Sequence, residues 1–180
     1  AFVLAPRVAT TSRVMGVVAV RVAGAMYALD AANGKLLWRK YLGQSAGSPV
    51  VTLPDGDFLA IDAVRNELAR FAAASGQLVW RQQFEGPIAA PVNVEGRLLV
   101  TEKSGKLHLL DPASGQRTGY FSFGQTLPVP PAVDSRKGMV YLLGEHSSLY
   151  TLSLEDMSCA GVFFVGHERG SIATSPAVVL

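Results

Sequence analysis

The chain has a single cysteine, Cys159, among 180 residues, so no internal disulfide can form and the redox compartment stays open. Charge is also scarce: charged residues are 17% and the net charge is +2. No basic run is longer than Arg39-Lys40 or Arg136-Lys137, which leaves no basic stripe for nucleic acid. No apolar stretch reaches about 18 residues without a charge, so the sequence offers no transmembrane helix. Arg7 and Arg13 interrupt the opening AFVLAPRVATTSRVMG, which does not read as a signal peptide; a signal already removed would leave such a start. Helical periodicity is missing too. ELARFAAAS comes nearest to an i, i+3, i+4, i+7 pattern, and its place in the repeat described next assigns it to a strand. What is abundant is apolar residues, at 49%, with 18 glycines and 10 prolines at turn-like places rather than in disordered tracts.

The stretch YALDAANGKLLW from Tyr27 to Trp38 organises the rest. Tyr27 and Leu29 alternate with Ala28 and Asp30, as in a strand. Asn33-Gly34 tolerates the positive φ of a tight turn, and Leu36-Leu37-Trp38 starts a second apolar run. The pattern returns as FAAASGQLVW from Phe71 and as LLDPASGQ from Leu109. Gly34, Gly76, Gly115 and Met157 then mark one turn at steps of 42, 39 and 42 residues. Pro6, Pro49, Pro91, Pro131 and Pro176 open successive units at steps of 43, 42, 40 and 45. Further turns fall at Asp55-Gly56, Glu95-Gly96 and Lys137-Gly138, and again at Gly24, Arg65-Asn66, Ser104-Gly105 and Ser147-Ser148. Each unit therefore holds four short strands; in the second they are expected near residues 49–53, 58–63, 67–72 and 77–84. A period of about 40 residues with four strands per unit predicts an all-β chain, a β-propeller built of four-stranded antiparallel blades. A β-sandwich is the alternative, and it does not predict four phased landmarks per unit. The repeats run over residues 5–47, 48–89, 90–129 and 130–174, with 175–180 starting a further blade, so the chain is expected to be an arc of a larger ring.

The segment Ala28 to Trp38 resembles the tryptophan-docking repeat of the quinoprotein-like, or PQQ-like, propellers: Ala, any residue, Asp, two residues, Thr, Gly, three residues, Trp. The first unit matches at Ala28, Asp30, Gly34 and Trp38, with Asn33 for Thr. The second keeps Gly76 and Trp80, with Ser75 for Thr, Arg70 for Ala and Ala72 for Asp. The third keeps Asp111, Ser114 and Gly115, but has Gly119 for Trp. The fourth has Ser153, Met157 and Gly161 for Asp, Gly and Trp. The resemblance implies a ring of seven or eight blades. It also implies that Asp30, Gly34, Trp38, Gly76, Trp80, Asp111 and Gly115 are structural docking residues: the indole lies on the neighbouring blade and the aspartate holds its turn. Phe121, Phe123, Phe163 or Phe164 is expected to fill the place of the missing indoles.

Residues that could carry chemistry read otherwise. Gly43-Gln44-Ser45-Ala46-Gly47 spells G-x-S-x-G, a pattern that works only on a strand-to-helix turn; here it sits between blades and reads as a linker. His108, His146 and His167 lack ligand spacing to one another, and each reads as a surface or turn residue. His167-Glu168-Arg169 lacks the second histidine of a zinc-protease motif. Asp55, Asp57 and Asp62 cluster around a hairpin, but a calcium loop needs more oxygen ligands in register. No catalytic, cofactor-binding or metal residue is assigned.

The resemblance covers dehydrogenases, assembly lipoproteins and sensor domains alike. Its quinone-dependent members carry a neighbouring cysteine pair, a catalytic aspartate and calcium ligands; Cys159 has no neighbouring cysteine. The first functional expectation is thus a non-catalytic, cofactor-free binding propeller, a scaffold or extracytoplasmic sensor with a protein or peptide partner, and with self-association through open blade edges conceivable. The alternative is a fragment of a pyrroloquinoline-quinone-dependent dehydrogenase, which would bring the quinone and calcium.

Overall fold

The computed structural model describes residues 10–14, 16–43, 48–145 and 148–164. Among these are sixteen β-strands and no α-helix. They form four sheets, each of four strands in chain order, and the neighbours are antiparallel throughout. The first sheet holds β1 (Thr10–Val14), β2 (Val17–Val22), β3 (Ala25–Asp30) and β4 (Leu36–Tyr41). The second holds β5 (Val51–Thr52), β6 (Phe58–Asp62), β7 (Glu67–Phe71) and β8 (Leu78–Gln83). The third holds β9 (Val92–Val94), β10 (Arg97–Glu102), β11 (Lys106–Leu110) and β12 (Arg117–Ser122). The fourth holds β13 (Ala132–Asp134), β14 (Met139–Leu143), β15 (Ser148–Ser153) and β16 (Cys159–Phe164). The four strands expected in the second unit are all present. The first of them is shorter than expected, because Pro49 has no N–H to give the ladder. Two compact units divide the chain, Ala1–Glu85 with the first two sheets and Gly86–Leu180 with the last two.

One turn recurs between the third and fourth strands of every sheet. Gly34, Gly76, Gly115 and Met157 donate their N–H to the carbonyls of Asp30, Ala72, Asp111 and Ser153 at 2.8–2.9 Å. Those four residues in turn donate to the carbonyls of Lys35, Gln77, Gln116 and Ser158. The residue before each turn glycine supplies a side-chain acceptor two residues ahead: Asn33 to Lys35 N, Ser75 to Gln77 N, Ser114 to Gln116 N and Asp156 to Ser158 N. This explains why Asn, Ser and Asp all serve at that position. The turn needs φ near +65°, where glycine is favoured, yet Met157 adopts φ 59° at the same place. The hydrogen-bond frame imposes the conformation even on a side chain that resists it. A register shift follows in all four sheets, at Ala28/Leu29, Arg70/Phe71, Leu109/Leu110 and Thr151/Leu152.

Burial divides the strands by position. Every residue of β6 is buried, and so are five of six in β10; both faces are covered, so each carries an apolar run, Phe58 to Ile61 and Leu98 to Val100, and buries the polar residues that follow it. The fourth strands are mostly exposed. The first unit packs Ala19, Met26, Ala28 and Trp38 of its first sheet with Phe58, Ala60 and Phe71 of its second. The second unit packs Leu99 and Leu107 with Val140, Leu142 and Leu152. Phe121 and Phe123 pack partly buried against that cluster, whereas Phe163 and Phe164 are exposed. The segment 175–180, Pro6, Pro176, Gln44 to Gly47, His146 and His167 lie outside the described residues.

Candidate binding sites

Trp38 crosses from the first sheet to the second. Its Nε1 donates to the Ala73 carbonyl at 2.7 Å, and its ring stands 6.3 Å from that of Phe58, tilted by 54°. The indole covers Gly76 so closely that a Cβ there would sit 2.6 Å from Trp38 Cδ2. Trp80 is buried and pairs with Arg70 as Trp38 pairs with Ala28. Gly119 and Gly161 hold the same register, opposite Leu109 and Thr151. The aspartates sit at the turns: Asp30 Oδ1 accepts Ala32 N at 2.8 Å, and Asp111 Oδ1 accepts Ala113 N at 3.0 Å.

Asp55, Asp57 and Asp62 do not converge on one point. Arg70 donates to Asp55 Oδ2 at 2.6 Å and to Asp57 Oδ2 at 2.8 Å, and Asp57 Oδ1 accepts Ala73 N at 3.1 Å. Asp62 stands apart, accepting Val64 N, Arg65 N and Arg65 Nη1 at 3.0–3.2 Å. Among the described residues no group of three or more His, Cys, Asp or Glu is placed to hold a metal ion. Cys159 is exposed.

His108 corrects the expectation of a surface or turn residue. It is 2% exposed, and its Nε2 meets Glu102 Oε2, 1% exposed, at 2.7 Å. A carboxylate can only accept, so Nε2 donates. Ser104 Oγ also donates to Glu102 Oε1 at 2.7 Å. Burial holds the His108 pKa below the usual histidine value; the bond to Glu102 opposes this, and Arg117 and Lys106 add to the lowering. The apolar run Leu98-Leu99-Val100 before Thr101-Glu102 signals a strand covered on both faces, which buries Glu102 with it; nothing local in β11 marks His108 as its buried partner.

Asp62 and Glu102 occupy the same register position, opposite Glu67 and Lys106. A linker glycine covers each. A Cβ on Gly43 would lie 2.9 Å from Asp62 Oδ1, and one on Gly86 would lie 3.3 Å from Glu102 Oε1. In the fourth sheet the exchange is reversed: Gly144 stands at the strand position, and the linker residue Gln125 reaches it. Gln125 Nε2 donates to the Tyr150 hydroxyl. Arg21 is a further buried charge. Its Nη1 reaches the Ser48 carbonyl at 3.4 Å, while Nε and Nη2 make no hydrogen bond among the described residues. Burial lowers its pKa against the opposing pull of Asp62.

Among the described residues a depression opens on each unit. One of about 230 Å³ lies in the first, between the end of β4 and β6–β8. One of about 460 Å³ lies in the second, with Glu95, Arg97, Lys137 and Glu155 at its edge.

Antiparallel four-stranded meanders phased at about 40 residues, with an indole of one sheet seated on the glycine turn of the next, define a β-propeller of PQQ-like repeats. The chain belongs to the family described as outer membrane protein assembly factor BamB, which matches residues 22–118 and, in an overlapping placement, 64–157. The assembly factor BamB of Legionella pneumophila is 28% identical over 134 residues, covering 73% of this chain and 33% of that protein. That of Francisella tularensis is 24% identical over 181 residues, covering 85% and 38%. The chain thus spans little more than a third of the length of these curated relatives. Among solved structures, BamB of Moraxella catarrhalis superposes with a TM-score of 0.68 at 20% identity, over 82% of this chain and 46% of that one. The quinohemoprotein alcohol dehydrogenase ADHIIG of Pseudomonas putida superposes with a TM-score of 0.70 at 16% identity, over 88% and 34%. At these identities the superpositions show the fold alone.

Proposed function

We propose that this chain is part of a non-catalytic binding propeller that holds protein partners during outer-membrane assembly, on the extracytoplasmic side. The observation that carries the reading is the family match, together with relatives named outer membrane protein assembly factor. Its four sheets are taken as an arc of a larger ring, a reading supported by the greater length of those relatives. Asp30, Gly34, Trp38, Gly76, Trp80, Asp111 and Gly115 are assigned to blade docking; the seat of Trp38 on Gly76 supports this. A sensor role is the same kind of reading with a signalling partner.

A second reading, a fragment of a quinone-dependent dehydrogenase, has the superposition on ADHIIG in its favour. Dye-linked oxidation of alcohols and sugars after adding quinone and calcium separates the two. No turnover is expected; turnover would overturn the binding reading.

A further inference from the structure

The depression in the first unit has an apolar floor of Leu42, Ala69 and Phe71. The second unit contains the same place in the repeat, and there it is filled. Leu42 N bonds Gly24 O as Phe123 N bonds Gly105 O, so Leu42 and Phe123 are equivalent. Ala69 pairs with Arg81 as Tyr150 pairs with Val162, so Ala69 and Tyr150 are equivalent. In the second unit the rings of Phe123 and Tyr150 meet edge-on at 5.0 Å, and Gln125 bonds the Tyr150 hydroxyl. In the first unit an alanine stands where that ring would be, and about 230 Å³ stays open.

We propose that this cleft receives one aromatic or large aliphatic side chain from an acidic segment of a partner protein, a proposal that rests on the protein-binding reading above. Size selects the anchor. An apolar cavity of about 150 Å³ holds a benzene ring, whereas small-molecule and cofactor sites run to about 300–1,000 Å³. The cleft suits one side chain. Charge selects the flanks. The Asp62 carboxylate is 7% exposed and taken up by Arg65 and two backbone N–H groups. Glu67 is 15% exposed and 4.0 Å from Arg81. The cations reach solvent instead: Arg65 and Arg81 are 66% and 60% exposed, and Lys40 joins them at the rim. An incoming chain therefore meets positive charge around an apolar floor. Exposed Tyr41 and Leu78 form the lip, and tyrosine and arginine are the residue types that dominate protein contacts.

The test is a titration of the isotope-labelled full chain with the peptide Glu-Asp-Phe-Asp-Glu, followed by amide chemical shifts. Saturable shifts are expected at Lys40, Ala69, Phe71 and Arg81. Replacing the phenylalanine with alanine, or the acidic flanks with lysines, should weaken binding about tenfold or more. Ala69→Tyr should do the same by supplying the ring found in the second unit. The surface pair Arg65→Gln with Arg81→Gln, which leaves the floor intact, should weaken binding and flatten its salt dependence. No saturable shift at about 1 mM peptide, equal binding of the lysine-flanked peptide, or undiminished binding by both variants would overturn the proposal. Capture of outer-membrane assembly proteins that persists when the peptide fails to bind would refute the cleft and leave the functional reading standing.

Discussion

Gly76→Ala separates the docking of Trp38 from the turn beneath it. Two penalties act at Gly76. Its φ is +66°, and an L side chain held in the left-handed region costs about 1–2 kcal/mol. The added Cβ would also meet Trp38 Cδ2 at 2.6 Å and Cε3 at 2.9 Å. The indole cannot slide away freely, because Nε1 is fixed to the Ala73 carbonyl at 2.7 Å; such overpacking costs about 1–3 kcal/mol. The sum is about 2–5 kcal/mol. Gly34 supplies the control: its φ is +72°, its turn has the same hydrogen bonds, and a Cβ added there would meet nothing within 4 Å. Gly34→Ala should therefore cost only the backbone term, about 1–2 kcal/mol. Urea unfolding of both variants measures the difference. If Gly76→Ala is no more destabilising than Gly34→Ala, the indole does not bear on that turn and the docking argument fails.

Further expectations follow from buried and part-buried groups. His108→Ala leaves Glu102 buried without its ring partner and should cost about 1–3 kcal/mol, read from the urea midpoint. The folded His108 pKa is lowered, so below the ordinary histidine pKa of about 6.5 the unfolded chain holds the extra proton. The stability this group contributes is fully present above that value and is lost as pH falls through the window beneath it. The loss between pH 7.5 and 5.5 should shrink in His108→Gln, and an unchanged slope would refute it. Trp80→Ala should cost about 3–5 kcal/mol; a loss below about 1 kcal/mol would remove Trp80 from the docking residues. Gln125→Ala, which strips the Tyr150 hydroxyl of its donor, should cost about 1–2 kcal/mol, and a neutral result would show that the bond adds nothing.

The fold was legible because turns are local. Asn33-Gly34, Ser75-Gly76 and Ser114-Gly115 write their conformation into adjacent residues, and the prolines mark where ladder donors stop. Met157 broke the residue pattern without breaking the turn, since Ser153 and Asp156 keep its hydrogen bonds. The sites were not legible, because they depend on pairs far apart in the chain. The open cleft is a difference between Ala69 beside Leu42 and Tyr150 beside Phe123. The place of His108 escapes the sequence because its burial is decided by what covers both faces of β10 and β11, which no local pattern reports. The exchange of Gly86 and Glu102 for Gln125 and Gly144 likewise shows only when linker and strand are seen together.

The central claim, that the chain binds proteins of outer-membrane assembly, is tested most directly by affinity capture. The full chain serves as bait against detergent-solubilised envelope of its own source, with an unfolded bait as control and the captured proteins identified by mass. The account predicts selective enrichment of outer-membrane assembly proteins on the folded bait. Equal recovery of those proteins on folded and unfolded bait would contradict it.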